Sequence, residues 1–321
     1  MSKTVKFNLN IDGVAVRTLE ELREHFCIQD VLKYYKNGLL TRWFQVRDFK
    51  EEFEKIQKIA STNDEEIISK LIEILHIELD DDELKESLAY FVFEKNIRKS
   101  CDRYANGCVK QQDVLDDYRK NYDEIIQKIV DNKNNYPAIK AAVKILAKNF
   151  MWLLKVDYER LFFYMRDNAP MALFAFAAND GMRHFYIPED VTRDNGEVCM
   201  DFEVQYENSQ ENYFYQCKKN LYAELTKLIS EEKLREILGE YLRENNENTN
   251  DFWRDLEPKG KKFLILGAFN NGTMYLPNCL VRSTGNLGEE LNVSDIKDRF
   301  RILNGIDFKN QRNDILCYME V

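Results

Sequence analysis

Met171-Ala-Leu-Phe-Ala-Phe-Ala-Ala178, then Asn179-Asp180-Gly181, then Met182-Arg-His-Phe-Tyr-Ile187 and Pro188, is the stretch on which the reading of the fold turns. An unbroken apolar run, a turn-forming group and a second apolar run ending at proline match a buried strand, a tight turn and a return strand. The same phrase recurs as Phe263 to Phe269, Asn270-Asn271-Gly272, and Thr273 to Leu276 before Pro277. Two related hairpins in one sheet, or two hairpins sharing only turn chemistry, both account for this weak internal repeat. Between them, Val198 to Tyr206 and Asn212 to Gln216 are read as a further strand pair, and Leu221 to Leu242 as an amphipathic helix. A helix capped by Ser294 and carrying Ile296, Phe300 and Leu303 is expected next, then a closing strand from Ile315 to Val321.

Upstream of residue 169 the periodicity is helical. The chain opens on two short strands, Val5 to Ile11 and Val14 to Arg17, around Asp12-Gly13. Thr18 followed by Glu21 forms a capping box that starts a helix with Leu19, Leu22 and Phe26 on its apolar face. From Ile28 to Ala60 short helices are expected, broken at Asn37-Gly38 and near Asp48. Asp64 to Ile77, Asp82 to Tyr104, Gln112 to Asn132, and Pro137 to Tyr164 each carry apolar residues at helical spacing, with Asn106-Gly107 stopping the second of them. The fold class is therefore α+β. Residues 1–60 form a hairpin plus a small helical module, 61–168 a helical region, and 169–321 an α+β domain built from hairpins with packed helices.

Hydrophobic residues make up 44% of the 321 positions, with 20 Phe and 17 Tyr against 12 Gly and 5 Pro, a balance that favours an ordered chain over a disordered one. The formal net charge of -10 disfavours binding of nucleic acid or anionic lipid over a broad surface. Seven cysteines without CxxC spacing and three histidines point to buried reduced thiols rather than a disulfide framework or a zinc site. Met1 to Gly13 has no apolar signal core, and no apolar run reaches membrane-spanning length, so a cytoplasmic location and no membrane partner are expected. Phosphate-cradling glycine loops, a serine nucleophile elbow and His-x-x-x-His spacing are not written locally in this chain. No cofactor and no locally assembled catalytic centre are expected.

Two clusters remain. Lys33 to Arg47 is a basic and aromatic island in an acidic chain, with Tyr34, Arg42, Trp43 and Arg47 as its candidate binding residues. Cations interleaved with rings suit single-stranded nucleic acid, and Trp, Tyr and Arg also dominate protein-binding surfaces. Equally, Leu32, Tyr35, Leu39 and Trp43 fall near helical spacing, as core residues would. The second cluster, Asp190, Asp201 and Glu203, has the makings of an acidic strand that binds magnesium in a nuclease, although Gln205 stands where a lysine is usual. An exposed polar strand face explains the same residues.

The stretch Thr18-Leu-Glu-Glu-Leu-Arg-Glu-His-Phe26, Asp30-Val-Leu32, Tyr34-Tyr-Lys-Asn-Gly-Leu-Leu40, Arg42-Trp43 and Phe49 resembles a short helical module at the start of assorted bacterial multidomain proteins, some linked to defence or stress systems. It covers residues about 18–60. The resemblance implies association with partners and assigns no catalytic residue. The expectation is a non-enzymatic accessory or regulatory protein of bacterial or phage origin, acting by protein–protein interaction. The alternatives are a metal-dependent nuclease subunit using Asp190, Asp201 and Glu203, and an acidic inhibitor that imitates nucleic acid.

Overall fold

A computed structural model describes residues 7–11, 13–77, 81–105, 110–193, 195–270, 273–274, 279–293, 300–311 and 314–321. The fold is α+β, and the chain divides into two compact units, Met1–Ala105 and Asn106–Val321.

The first unit opens on the antiparallel pair β1 (Leu9–Ile11) and β2 (Val14–Val16); Asp12 of its turn and the first residues of its opening strand lie outside the described residues. Helix α1 (Leu19–Glu24) starts where the capping residues lie. Thr18 Oγ1 accepts the Glu21 N–H at 3.2 Å, and Glu21 Oε2 accepts the Arg17 N–H at 2.6 Å. Helices α2 (Ile28–Lys36), α3 (Leu39–Arg47) and α4 (Lys50–Gln57) are separated where turn chemistry requires. Gly38 and Asp48 both take left-handed backbone angles, φ 74 and 65, which glycine adopts freely and aspartate tolerates. Helices α5 (Asp64–Leu75) and α6 (Asp81–Ala105) complete the unit. One core joins them all: Leu9, Ile11, Leu22, Trp43, Phe44 and Leu71 are buried together, with Leu84, Leu88 and Phe91 of α6 packed against them.

Asp64, at the first turn of α5, is buried and paired with Lys36 of α2 and Lys95 of α6, each at 2.5 Å. Burial raises its pKa, but the two ammonium groups donating to it outweigh that and hold the carboxyl below the ordinary aspartate value. A folded-state pKa below the unfolded one means stability that is present at neutral pH and is lost as pH falls through the folded value. Acid titration of hydrogen exchange in α2, α5 and α6 is therefore expected to show a loss of protection below about pH 4, and Asp64→Asn should flatten that dependence. An unchanged acid profile in Asp64→Asn would count against the pairing.

The second unit begins with helices α7 (Gln111–Asp131), α8 (Tyr136–Asn149), α9 (Met151–Asn168), α10 (Met171–Ala178) and the short α11 (Asp180–Arg183). Pro137 sits in the first turn of α8, where its missing N–H costs nothing. The single helix expected from Pro137 to Tyr164 breaks at Phe150, which is buried and packs on Tyr118 and Tyr122 of α7 at 5.0 and 5.7 Å.

The larger correction is at Met171–Ala178, read from sequence as a strand and folded as α10. Four of its eight residues are alanine, the strongest helix former, and none is β-branched. Seven of the eight are buried, so no amphipathic period exists to separate helix from strand. Asn179 then caps α11 by accepting the Gly181 N–H at 3.0 Å, in place of making a hairpin turn.

Downstream, β3 (Asp190–Thr192) and β4 (Val198–Met200) form a small ribbon, followed by one helical turn at Asp201–Glu203. Asn212 to Gln216, also read as a strand, belongs to helix α12 (Ser209–Thr226). Asn208 caps that helix, and Cys217, Leu221, Tyr222 and Leu225 make its buried stripe. The helix expected from Leu221 to Leu242 is divided between α12 and α13 (Glu231–Leu238).

The main sheet is antiparallel, with strand order β5 (Arg243–Asn245), β11 (Ile315–Glu320), β6 (Arg254–Asn270), β10 (Ile302–Asn310), β8 (Cys279–Arg282), β9 (Leu291–Asn292); β7 (Thr273–Met274) pairs back on β6. Thus the second of the two similar phrases does form a hairpin, though its turn residues Asn271 and Gly272 and the closing Tyr275 to Pro277 lie outside the described residues. So do Ser294 and Ile296 of the expected late helix; Leu303 of that expectation lies in β10 instead. The β6–β10 register shifts at Gly305, whose φ of 68 and approach to the Glu257 carbonyl, 2.9 Å from where a Cβ would stand, leave room for no side chain. Phe263, Ile265, Val281, Leu303, Phe308 and Leu316 pack as the core of the sheet.

Candidate functional site

The basic and aromatic island spans α2 and α3, and the structure buries Leu40, Trp43 and Phe44 while leaving Lys33, Lys36, Leu39 and Arg42 exposed. Trp43 is fully buried, 5.5 Å from Phe44 and 5.3 Å from Phe49 between ring centroids. The Arg47 guanidinium lies over the Trp43 ring at 5.3 Å and donates to the Phe7 carbonyl and to Asn8 Oδ1, both at 2.8 Å. Arg42 remains exposed with its guanidinium 5.9 Å from the Phe7 ring, and Tyr34 donates to the Asn10 carbonyl at 3.2 Å. Tyr34, Arg42 and Arg47 therefore meet residues 7–10, which run into the β1 strand of their own chain, while Trp43 packs beneath Arg47. Their cations and rings clamp that strand to the helices, as charge-assisted hydrogen bonds and ring–cation contacts do.

The acidic set is likewise committed to local partners. Asp190 on β3 is ion-paired with Arg301. Asp201 is buried against the ammonium of Lys218, itself buried, and its other oxygen accepts the Phe202 N–H at 2.8 Å. Glu203 Oε2 accepts the Met200 N–H at 2.9 Å, closing the turn that β4 runs into. Among the described residues no three His, Cys, Asp or Glu side chains gather where an ion could sit, so the trio is not brought together as magnesium ligands.

Cys199, Cys217, Cys279 and Cys317 are buried, and Cys27 is half-buried; Cys108 lies outside the described residues. Burial pushes the Cys279 thiol well up and, with Glu244 beside it, raises Cys317 to about 12, so both stay protonated and inert at neutral pH. His184 is held below the ordinary histidine value by burial and by the Lys218 ammonium. No helix among the described residues is long and apolar enough to cross a membrane.

What the second unit leaves outside is a stripe on α9. Its inner face buries Leu154, Tyr158, Leu161, Phe162 and Met165 at helical spacing. Its outer face carries Trp152, 76% exposed, and one turn on Val156, 86% exposed. The Lys155 ammonium stands 4.6 Å from the Trp152 ring centroid and steadies the indole against the helix. Tyr213 of α12 is also exposed, and the neighbouring Cys217 thiol and Glu159 carboxylate raise its pKa. The signal for this surface was in the sequence, since Trp152 and Val156 fall off the apolar stripe of their helix, but such residues are singled out only once the stripe is known.

Comparison with protein-family models, with curated proteins and with solved structures finds no match to this chain.

Proposed function

We propose that this protein is a non-enzymatic accessory or regulatory protein that acts through protein–protein contact, with the outer face of α9 as its docking surface. The exposed Trp152–Val156 pair supports this reading: large apolar side chains one turn apart are held in water at a free-energy cost that burial in a partner's pocket relieves. Tryptophan is the side chain most enriched among residues that dominate binding energy. The complementary partner surface is an apolar slot wide enough for an indole, with a carboxylate at its rim facing Lys155. The likeness of residues 18–60 to modules of defence- or stress-linked bacterial proteins extends the proposal to a system of that kind in a bacterium or its phage.

The full chain, tagged and exposed to extract of its native host, is expected to retain a discrete protein. Trp152→Glu with Val156→Glu should release it, weakening binding at least about tenfold, while the melting temperature stays unchanged because neither side chain contributes to the core. Equal retention by the wild type and the double variant would overturn the assignment of the surface.

A further inference from the structure

We propose that the partner of the α9 face is a second copy of this chain, the two α9 helices packing antiparallel about a twofold axis; the inference rests on the docking role assigned to that face above. Trp152, Val156, Glu159 and Phe163 follow one another at steps of four, three and four residues. That spacing sets them in one line along the helix, the kind of seam by which one helix packs on another. The line lies opposite the buried stripe of Leu154, Tyr158, Leu161 and Met165. Trp152, Val156 and Glu159 are exposed, and Phe163 is half-buried with the Arg166 guanidinium 4.9 Å from its ring centroid.

The seam is complementary to its own reverse, as a twofold interface requires. Laid antiparallel with Trp152 opposite Phe163 of the second copy, it sets a ring against a ring at both ends and Val156 against Glu159 between them. Each Glu159 carboxylate then lies among apolar groups, where it needs a cation. Lys155 supplies one. In this register it stands within one residue's rise, about 1.5 Å along the axis, of Glu159 of the second copy, and the axis generates the pair twice.

The charges on either flank agree with this arrangement. Lys155 is exposed, its ammonium already at the seam over the Trp152 ring. Glu159 Oε2 takes a hydrogen bond from the Cys217 thiol of its own chain at 3.9 Å, a weak donor that leaves the carboxylate able to accept an ammonium. On the other flank the Arg160 guanidinium is forked onto Asp157 at 2.6 and 2.7 Å, so reversal of the helix confronts no uncompensated like charges there. Exposed Tyr213 of α12 neighbours Glu159 and widens the strip that a second copy would cover. The carboxylate expected at the rim of the partner's slot, facing Lys155, is in this pairing Glu159 of the second copy.

Sedimentation velocity of the purified full chain, with no other protein present, reads the pair directly. The sedimentation coefficient is expected to climb from monomer to dimer as concentration rises, with a dissociation constant on the order of 10 µM, as suits an interface of one helix face. Trp152→Glu with Val156→Glu should stay monomeric. Lys155→Glu and Glu159→Lys, each alone, set like charges across the axis and should weaken the dimer at least about tenfold. Mixed in equal amounts, these two single variants set opposite charges across the axis in both pairs and should associate within about threefold of wild type. Recovery between two chains has no origin in contacts within one α9, and melting temperatures should match wild type because these side chains lie outside the core. A chain that stays monomeric throughout, or single variants that fail to complement when mixed, overturns the second copy as partner. A monomer whose host extract still yields a different protein, released by the double variant, overturns self-pairing and leaves the docking face standing. A dimer that behaves as expected, with host protein retained equally by wild type and double variant, overturns the docking of other proteins on this face and leaves self-pairing standing.

Discussion

Trp43→Ala is expected to destabilise the first unit severely rather than to impair a binding surface. The indole is fully buried between Phe44 and Phe49 and roofed by Arg47. Removing it deletes the largest side chain of that core and leaves a cavity the neighbours fill only in part, a change that costs about 3–5 kcal/mol. A unit of this size has only about 5–15 kcal/mol to lose. Hydrogen exchange should accelerate throughout α2, α3 and α5 while α8 and α10 keep their protection. Arg42→Ala, which removes one exposed ring contact, should cost less than about 1 kcal/mol. If instead Trp43→Ala left exchange in α3 unchanged, the indole would not be the keystone of this core and its role as a contact residue would return.

Lys218→Ala carries the second large effect. Lys218 and Asp201 are both buried, and the pair holds the turn after β4 to the middle of α12. Taking away the ammonium leaves a carboxylate in the interior with one backbone N–H for company, a loss of about 3–5 kcal/mol. Asp201→Asn in the Lys218→Met background keeps the hydrogen bond to Phe202 and removes both charges, so most of the stability should return. Denaturation midpoints for Lys218→Met, for Asp201→Asn and for the two combined give the coupling, expected above about 2 kcal/mol. A cost under about 1 kcal/mol for Lys218→Ala would mean that water reaches Asp201 and that the pair is not closed.

Local chemistry makes much of this fold legible in the amino-acid sequence. Gly38 and Asp48 ended helices because they accept left-handed angles, and Thr18 and Pro137 began helices because each deals with free backbone donors at a helix start. Ile315–Glu320 was recognisable as a strand by its apolar run. The reading failed where burial is complete. Met171–Ala178 has no polar face, so periodicity carries no information there and alanine content should have decided. The twin phrases ending in Asn-Asp-Gly and Asn-Asn-Gly show the limit of local likeness, since the first caps a helix and the second stands in the sequence between the paired strands β6 and β7.

The sites were less legible than the elements. Arg47 meets Phe7 and Asn8 forty residues away or nearly so, a contact that turns a basic island from a surface into a clamp and that no short window contains. Lys144 of α8 and Lys262 of β6 line one cleft although they lie far apart in the sequence. Nothing in the sequence around either lysine marks it out from the chain's other cations.

The position of β11 governs the order in which this protein can be made. Hydrogen-bonded to β5 on one side and β6 on the other, the stretch Ile315–Glu320 is an interior plank of the sheet although it is translated after the sheet's other described strands. While the ribosome still holds those residues, the apolar edge of β6 has no neighbour on that flank, the condition in which nascent chains stick to one another. Helices α7 to α10, complete long before, would have to wait beside an open sheet, and a message ending before codon 315 would yield a gap in the middle of the sheet rather than a trimmed margin.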